Sequence, residues 1–123
     1  MKNQMLRILK VEPGKPPYEK EIRDKLEDIQ AEVGGLFEII YLPSGTLLCC
    51  NEEGKLNGME PNRTVGDDII CGPFFLVGDN QDGEFVSLQD SEIAELTKQF
   101  AQPEQFTGQE PGLQPRMQFF TFG

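Results

Sequence analysis

The stretch that most constrains the fold is residues 46–78, TLLCCNEEGKLNGMEPNRTVGDDIICGPFFLVG. Two apolar runs, residues 46–50 and 69–77, flank a polar segment dense in Asn, Gly and Glu. Apolar runs of this length, bounded by Gly and Asn, read as buried strands, so the chain must build a sheet and then cover it. Gly72-Pro73 falls inside the second run. Proline has no N–H to give a ladder, so that pair predicts a bulge or an edge position. Glu52-Glu53-Gly54 suits a three-residue hairpin loop with glycine in the left-handed conformation, returning along residues 55–57. Residues 58–68 read as loop.

The flanking chain supplies the other strands and the cover. Residues 5–11 alternate apolar and basic side chains and predict a first strand. Pro13-Gly14-Lys15-Pro16-Pro17 breaks it, and residues 18–22 return as an edge-like second strand. Residues 24–33 predict a helix, with Asp24 and Glu27 as a capping-box-like start. Ile22, Leu26, Ile29 and Val33 recur at near-helical spacing, and Gly34-Gly35 closes the helix. Residues 36–42 show little alternation, which predicts a central strand covered on both faces. Residues 43–45 turn it into an antiparallel partner over residues 46–51. After an acidic turn at residues 79–84 and a short strand-like stretch at 85–88 comes a second helix over residues 90–100. It is capped from Ser87 or Asp90 and stopped by Pro103.

The expected architecture is therefore α+β, with an antiparallel or mixed sheet of about five strands and two helices packed against it. It forms a single domain over residues 1–106. The expected core is Ile39, Tyr41, Leu47, Ile70, Phe75 and Val77 from the sheet, with Leu26, Ile29, Ile93 and Leu96 from the helices. Residues 107–123 form a tail rich in Pro, Gly and Gln that nevertheless carries Met117, Phe119, Phe120 and Phe122. Several aromatic rings left in water are an aggregation liability. The tail is expected to dock as a strand-like arm on a neighbouring subunit, with Phe119, Phe120 and Phe122 at the interface of a two-fold dimer.

Charge narrows the function classes. The formal net charge is -10, yet residues 1–23 carry six basic and three acidic side chains. Between Asp67 and Glu95 there are eight acids and no Lys or Arg. Such a surface disfavours direct nucleic-acid or membrane binding and attracts cations or basic proteins, while also conferring solubility. No apolar run is long enough for a membrane span, and the N-terminal run is too short for a secretory signal. Three cysteines, two of them adjacent, do not make a disulfide framework, which points to a reducing cytoplasm.

Catalytic chemistry finds few candidates. The absence of His removes the commonest general base and metal ligand. Cys49 and Cys50 fall on opposite faces of a strand, so at most one is expected in the core, and nothing in the sequence activates either. Glu52 and Glu53 diverge in a tight turn, and Asp79-Asn80-Gln81-Asp82-Gly83-Glu84 only partly matches a calcium loop. No catalytic residue, metal site or cofactor is expected. The more informative set is Asn51, Lys55, Asn57, Asn62 and Arg63, which holds the only cations between Lys25 and Lys98. Converging beside backbone N–H groups, these side chains suit a phosphate or nucleotide. The competing account pairs Arg63 and Lys55 with Glu52, Glu60 or Asp68 and leaves the Asn residues to satisfy loop backbone.

The run CNEEGKLNG, followed by PNR and DIICGPFFLVG, resembles the signature of a family catalogued as domain of unknown function 3846. VEPGKPPYEKEI, EVGGLFEIIY, SLQDSEIAELTKQF and PEQF are similar to it as well, so the resemblance covers about residues 6–106. It implies a setting, phages and bacterial mobile elements inside a bacterial host cell, and supplies no catalytic residues. The expected function is a non-enzymatic binding protein used in counter-defence, sequestering a nucleotide-derived signal or occluding a host defence protein. The alternative is an acidic DNA mimic that inhibits a host nucleic-acid-binding enzyme. The expected partners are thus a small anionic, nucleotide-like ligand or a basic host protein, and a second copy of the chain.

Overall fold

A computed structural model describes residues 4–113. Its main sheet is antiparallel throughout and begins with the hairpin of β1 (Met5–Val11) and β2 (Tyr18–Arg23). β3 (Phe37–Tyr41) and β4 (Leu47–Asn51) form a second hairpin, and β7 (Phe74–Asp79) lies between the two, giving the order β2-β1-β7-β4-β3. β5 (Pro61–Val65) and β6 (Asp68–Cys71) make a separate two-stranded sheet. β8 (Phe85–Val86) pairs with the far end of β7.

Helices α1 (Leu26–Val33) and α2 (Asp90–Gln99) complete three layers. One core joins Leu6, Ile8, Leu47, Cys49, Phe75 and Val77 of the sheet to Ile29 and Val33 of α1. On the opposite face Leu9, Val11, Leu48, Cys50, Phe74 and Leu76 meet Ile93, Leu96 and Phe100 at α2, and Ile70 of β6. Phe74 and Phe100 touch edge to face, with ring centroids 5.6 Å apart. Because both faces are covered, β4 and the Phe74–Gly78 part of β7 are buried at every position.

The α+β expectation holds, and the departures from it are local. Double coverage belongs to β4 and β7, whereas β3 is the outermost strand. Tyr41 is accordingly 69% exposed and Ile39 36%, so neither joins the core. Leu26 opens α1 with its side chain 60% exposed, for the apolar face of that helix begins only at Ile29. Cys49 and Cys50 do face opposite ways, yet both are buried, because each face of the sheet has its own cover. Gly72-Pro73 is neither a bulge nor an edge. It separates β6 from β7 and lets the chain pass from the small sheet into the middle of the large one. Residues 55–57 turn instead of returning as a strand, and β5 occupies part of the expected loop.

The helix ends follow backbone needs. α1 starts after Lys25 without a side-chain cap, so Asp24 and Glu27 do not form the expected box; Asp28 of the first turn pairs with Arg23 at 2.9 Å instead. Gly34 closes α1 in the left-handed conformation and donates its N–H to Gln30 O, as Gly34-Gly35 predicts. α2 is capped at Gln89, whose N–H donates to Glu92 Oε1 at 2.8 Å. Beyond α2, the Glu104 carboxylate accepts from Thr64 N–H and Oγ1–H, and a 3-10 turn at Pro111–Leu113 lies against β6. Phe119, Phe120 and Phe122 lie outside the described residues.

Candidate functional site

The five residues expected to bind an anion do not converge on one site; each is engaged by partners of its own, apart from the adjacent pair Asn62 and Arg63. Asn62 and Arg63, at the start of β5, are buried, with Arg63 only 1% exposed. Arg63 donates through Nε and Nη2 to Phe100 O, through Nη2 to Lys15 O, and through Nη1 to Asn62 O and Oδ1. Asn62 Nδ2 donates at 2.9 Å to both Val11 O and Gly72 O. This pair therefore bolts together the end of β1, the turn after it, the Gly72 turn and the C-terminus of α2. Burial lowers the guanidinium's affinity for its proton, with the Glu104 charge opposing that shift. Among the described residues Arg63 makes no direct contact with a carboxylate; backbone carbonyls and the Asn62 side-chain oxygen take its donors.

Asn51 is also structural. Its Nδ2 donates to Val33 O at 3.1 Å, and its Oδ1 accepts from Glu53 N–H at 2.8 Å, tying the end of α1 to the start of the turn. Lys55 pairs with Asp68 at the head of β6. Asn57 is exposed in the turn, where its backbone N–H donates to Glu53 O. Gly54 and Gly72 serve close approach. A Cβ on Gly54 would lie 2.5 Å from Cys71 O, and one on Gly72 would lie 2.5 Å from Met59 Sδ.

A cleft of 440 Å³ opens instead between the β1–β2 turn, the C-terminal end of α1 and the segment around Glu60 and Pro73. It is shallow and open to solvent, and five of its nine lining residues are charged. Lys10, Glu12, Lys15, Glu32 and Glu60 supply its charges, and Pro13, Ala31 and Pro73 its apolar wall. Lys10 and Lys20 lie diagonally across the β1–β2 register, where Ile8 faces Lys20 and Lys10 faces Tyr18. Both amines meet Glu32 of α1, Lys10 at 2.7 Å and Lys20 at 2.8 Å. Burial works to raise the Glu32 pKa, but the two ammonium groups prevail and hold it below the ordinary carboxylate value. At the rim, Tyr18 Oη–H donates to Glu12 Oε2 at 2.9 Å and Lys15 lies 3.3 Å from Glu12 Oε1.

Sequence reasoning missed this triad. The signal was present: Lys10 interrupts the apolar side of a strand next to a buried sheet position, and Glu32 sits between Ile29 and Val33 on the buried side of α1.

The cysteines are inert by the same measure. Burial pushes the Cys49 and Cys50 thiols up to about 12 and raises that of Cys71. Native protein at pH 8 is expected to react slowly with a maleimide, and all three thiols to react promptly in denaturant. Prompt labelling of Cys49 or Cys50 in the native state would contradict the two-sided coverage of β4.

A three-layer α+β scaffold with a charged cleft at one end of its sheet is the class of protein these features define. The chain belongs to the family described as domain of unknown function (DUF3846), whose model matches residues 5–101. No curated protein matches the chain, and no solved structure does. Among the described residues no group of three or more acidic or Cys side chains is placed to hold a metal ion, and no helix is long and apolar enough to cross a membrane.

Proposed function

We propose that the protein acts by binding, and that its ligand is a small molecule with an oxyanion at one end and N–H donors at the other, as in a nucleotide. Lys10 carries this reading. Its side chain is 8% exposed, it lines the cleft, and its ammonium makes one hydrogen bond, to Glu32 Oε1. An ammonium has three donors, so a ligand phosphate or carboxylate oxygen would complete its shell. Lys15 adds a second cation at the rim, and Glu60 supplies an acceptor within the same cleft. The wall of Pro13, Ala31 and Pro73 suits the face of a ring. In the phage and mobile-element setting that the family resemblance implies, such binding serves counter-defence by withdrawing a nucleotide-derived signal in the host cytoplasm.

The DNA-mimic alternative draws less support from the geometry. Of the eight acids from Asp67 to Glu95, Asp68 pairs with Lys55, Asp90 with Arg7, and Glu92 caps α2. Asp79 and Glu84 accept hydrogen bonds inside their own turn. Groups spent on local order do not form a free, regular row of charges.

The test is calorimetric titration with nucleoside mono- and diphosphates, with inorganic phosphate as the minimal probe. Binding tighter than about 1 mM is expected for at least one nucleotide. Ala31→Trp fills the cleft from an exposed position on α1, so it should abolish binding while far-UV dichroism stays native-like and stability falls by no more than about 1 kcal/mol, the scale of the helix-propensity difference. Absence of binding to every nucleotide tested, or undiminished binding by Ala31→Trp, overturns the assignment.

A further inference from the structure

The two edges of the main sheet are built differently. β2, at one edge, reads YEKEIR, with Glu19, Lys20, Glu21 and Arg23 along it, the kind of charge density that discourages further pairing. β3, at the other, reads FEIIY with one charge, and among the described residues it pairs only with β4. Tyr41 and Ile39 are exposed on it, and Leu36, just before it, is 63% exposed. An apolar edge with unpaired N–H and C=O groups is a template for another strand.

We infer that β3 is the contact between two copies of this chain, paired antiparallel across a two-fold axis at Ile39 so that the two main sheets become one. The sequence of the strand suits this register. With Ile39 opposite Ile39, Phe37 faces Tyr41 and Glu38 faces Ile40, so no like charges oppose each other. Phe37, Ile39 and Tyr41 share one face, since their partners on β4 are Asn51, Cys49 and Leu47, of which Cys49 and Leu47 belong to the core beneath α1. The pairing therefore stacks two aromatic pairs and an isoleucine pair on that face, the combination that most favours adjacent strands. A two-fold contact must be self-complementary, and this strand is. The surface is distinct from the cleft, and the inference does not rest on the ligand proposed for it.

Sedimentation at micromolar concentration should give twice the 13.8 kDa chain mass. Ile39→Lys brings two ammonium groups together on the axis and is expected to weaken association more than about 100-fold. Because Ile39 lies outside the core, far-UV dichroism and unfolding of the variant monomer should stay native-like. Removal of residues 114–123 should leave the dimer intact. A wild-type protein that is monomeric at these concentrations overturns the inference. So does an Ile39→Lys variant that still dimerises, or a dimer lost on removing residues 114–123, which would assign the contact to the aromatic arm.

Discussion

Arg63→Ala is expected to destabilise the protein by about 3–5 kcal/mol, the scale of emptying a buried, fully hydrogen-bonded charged site. The reason lies in what the guanidinium leaves behind. Phe100 O, Lys15 O and Asn62 Oδ1 all accept from it, and a methyl group satisfies none of them. Three segments far apart in sequence then lose their common tie. Arg63→Lys should recover little, because one ammonium cannot reproduce the planar fork that reaches Phe100 O and Lys15 O from one nitrogen and Asn62 from another. Urea unfolding followed by circular dichroism measures this directly. A change in stability below about 0.5 kcal/mol for Arg63→Ala, the scale of an ordinary surface substitution, would show that the buried network is dispensable.

Arg63 also shows where sequence reading succeeds and where it stops. That residues 58–68 matter could be read from an isolated Arg and Asn in an acidic, glycine-rich segment. What they contact could not, because Phe100 and Lys15 lie 37 and 48 residues away and meet Arg63 only through tertiary packing. The strands β1, β2, β4 and β7 and both helices were legible because apolar periodicity and Gly or Pro punctuation are local signals. The placement of β3 was not. FEIIY and LLCCN look equally buried as isolated strings, and only the order of strands decides that Leu47–Asn51 is central and Phe37–Tyr41 an edge. That is why the apolar pattern places Tyr41 and Ile39 in the core while the fold leaves them exposed. Leu26 failed differently, since near-helical spacing with Ile22 means little when Ile22 belongs to β2. The Lys10–Glu32–Lys20 triad joins two strands to a helix, and no one-dimensional period encodes such a meeting.

Glu32→Leu is expected to cost about 3–5 kcal/mol, because it removes the carboxylate and leaves the charged partner buried. Without Glu32, the Lys10 ammonium keeps only Glu12, at 4.0 Å, while its side chain remains more than nine-tenths buried. Lys20 suffers less, since its side chain is 39% exposed and water can replace the lost contact. Lys10→Met combined with Glu32→Leu removes both buried charges and should lie much nearer the wild type than Glu32→Leu alone, so the two substitutions should be strongly non-additive. The acid limb carries the same signature. The folded-state pKa of Glu32 is depressed, so its contribution is present above the ordinary carboxylate pKa and is lost as pH falls through the lower folded value. Wild-type stability should therefore fall more steeply on acidification, below about pH 4.5, than that of the double variant. Unfolding curves for the wild type, the Lys10→Met and Glu32→Leu single variants and the double variant, from neutral pH downward, test both halves. Additive costs, or identical acid limbs in the wild type and double variant, would show that Glu32 does not hold the amines as the geometry requires.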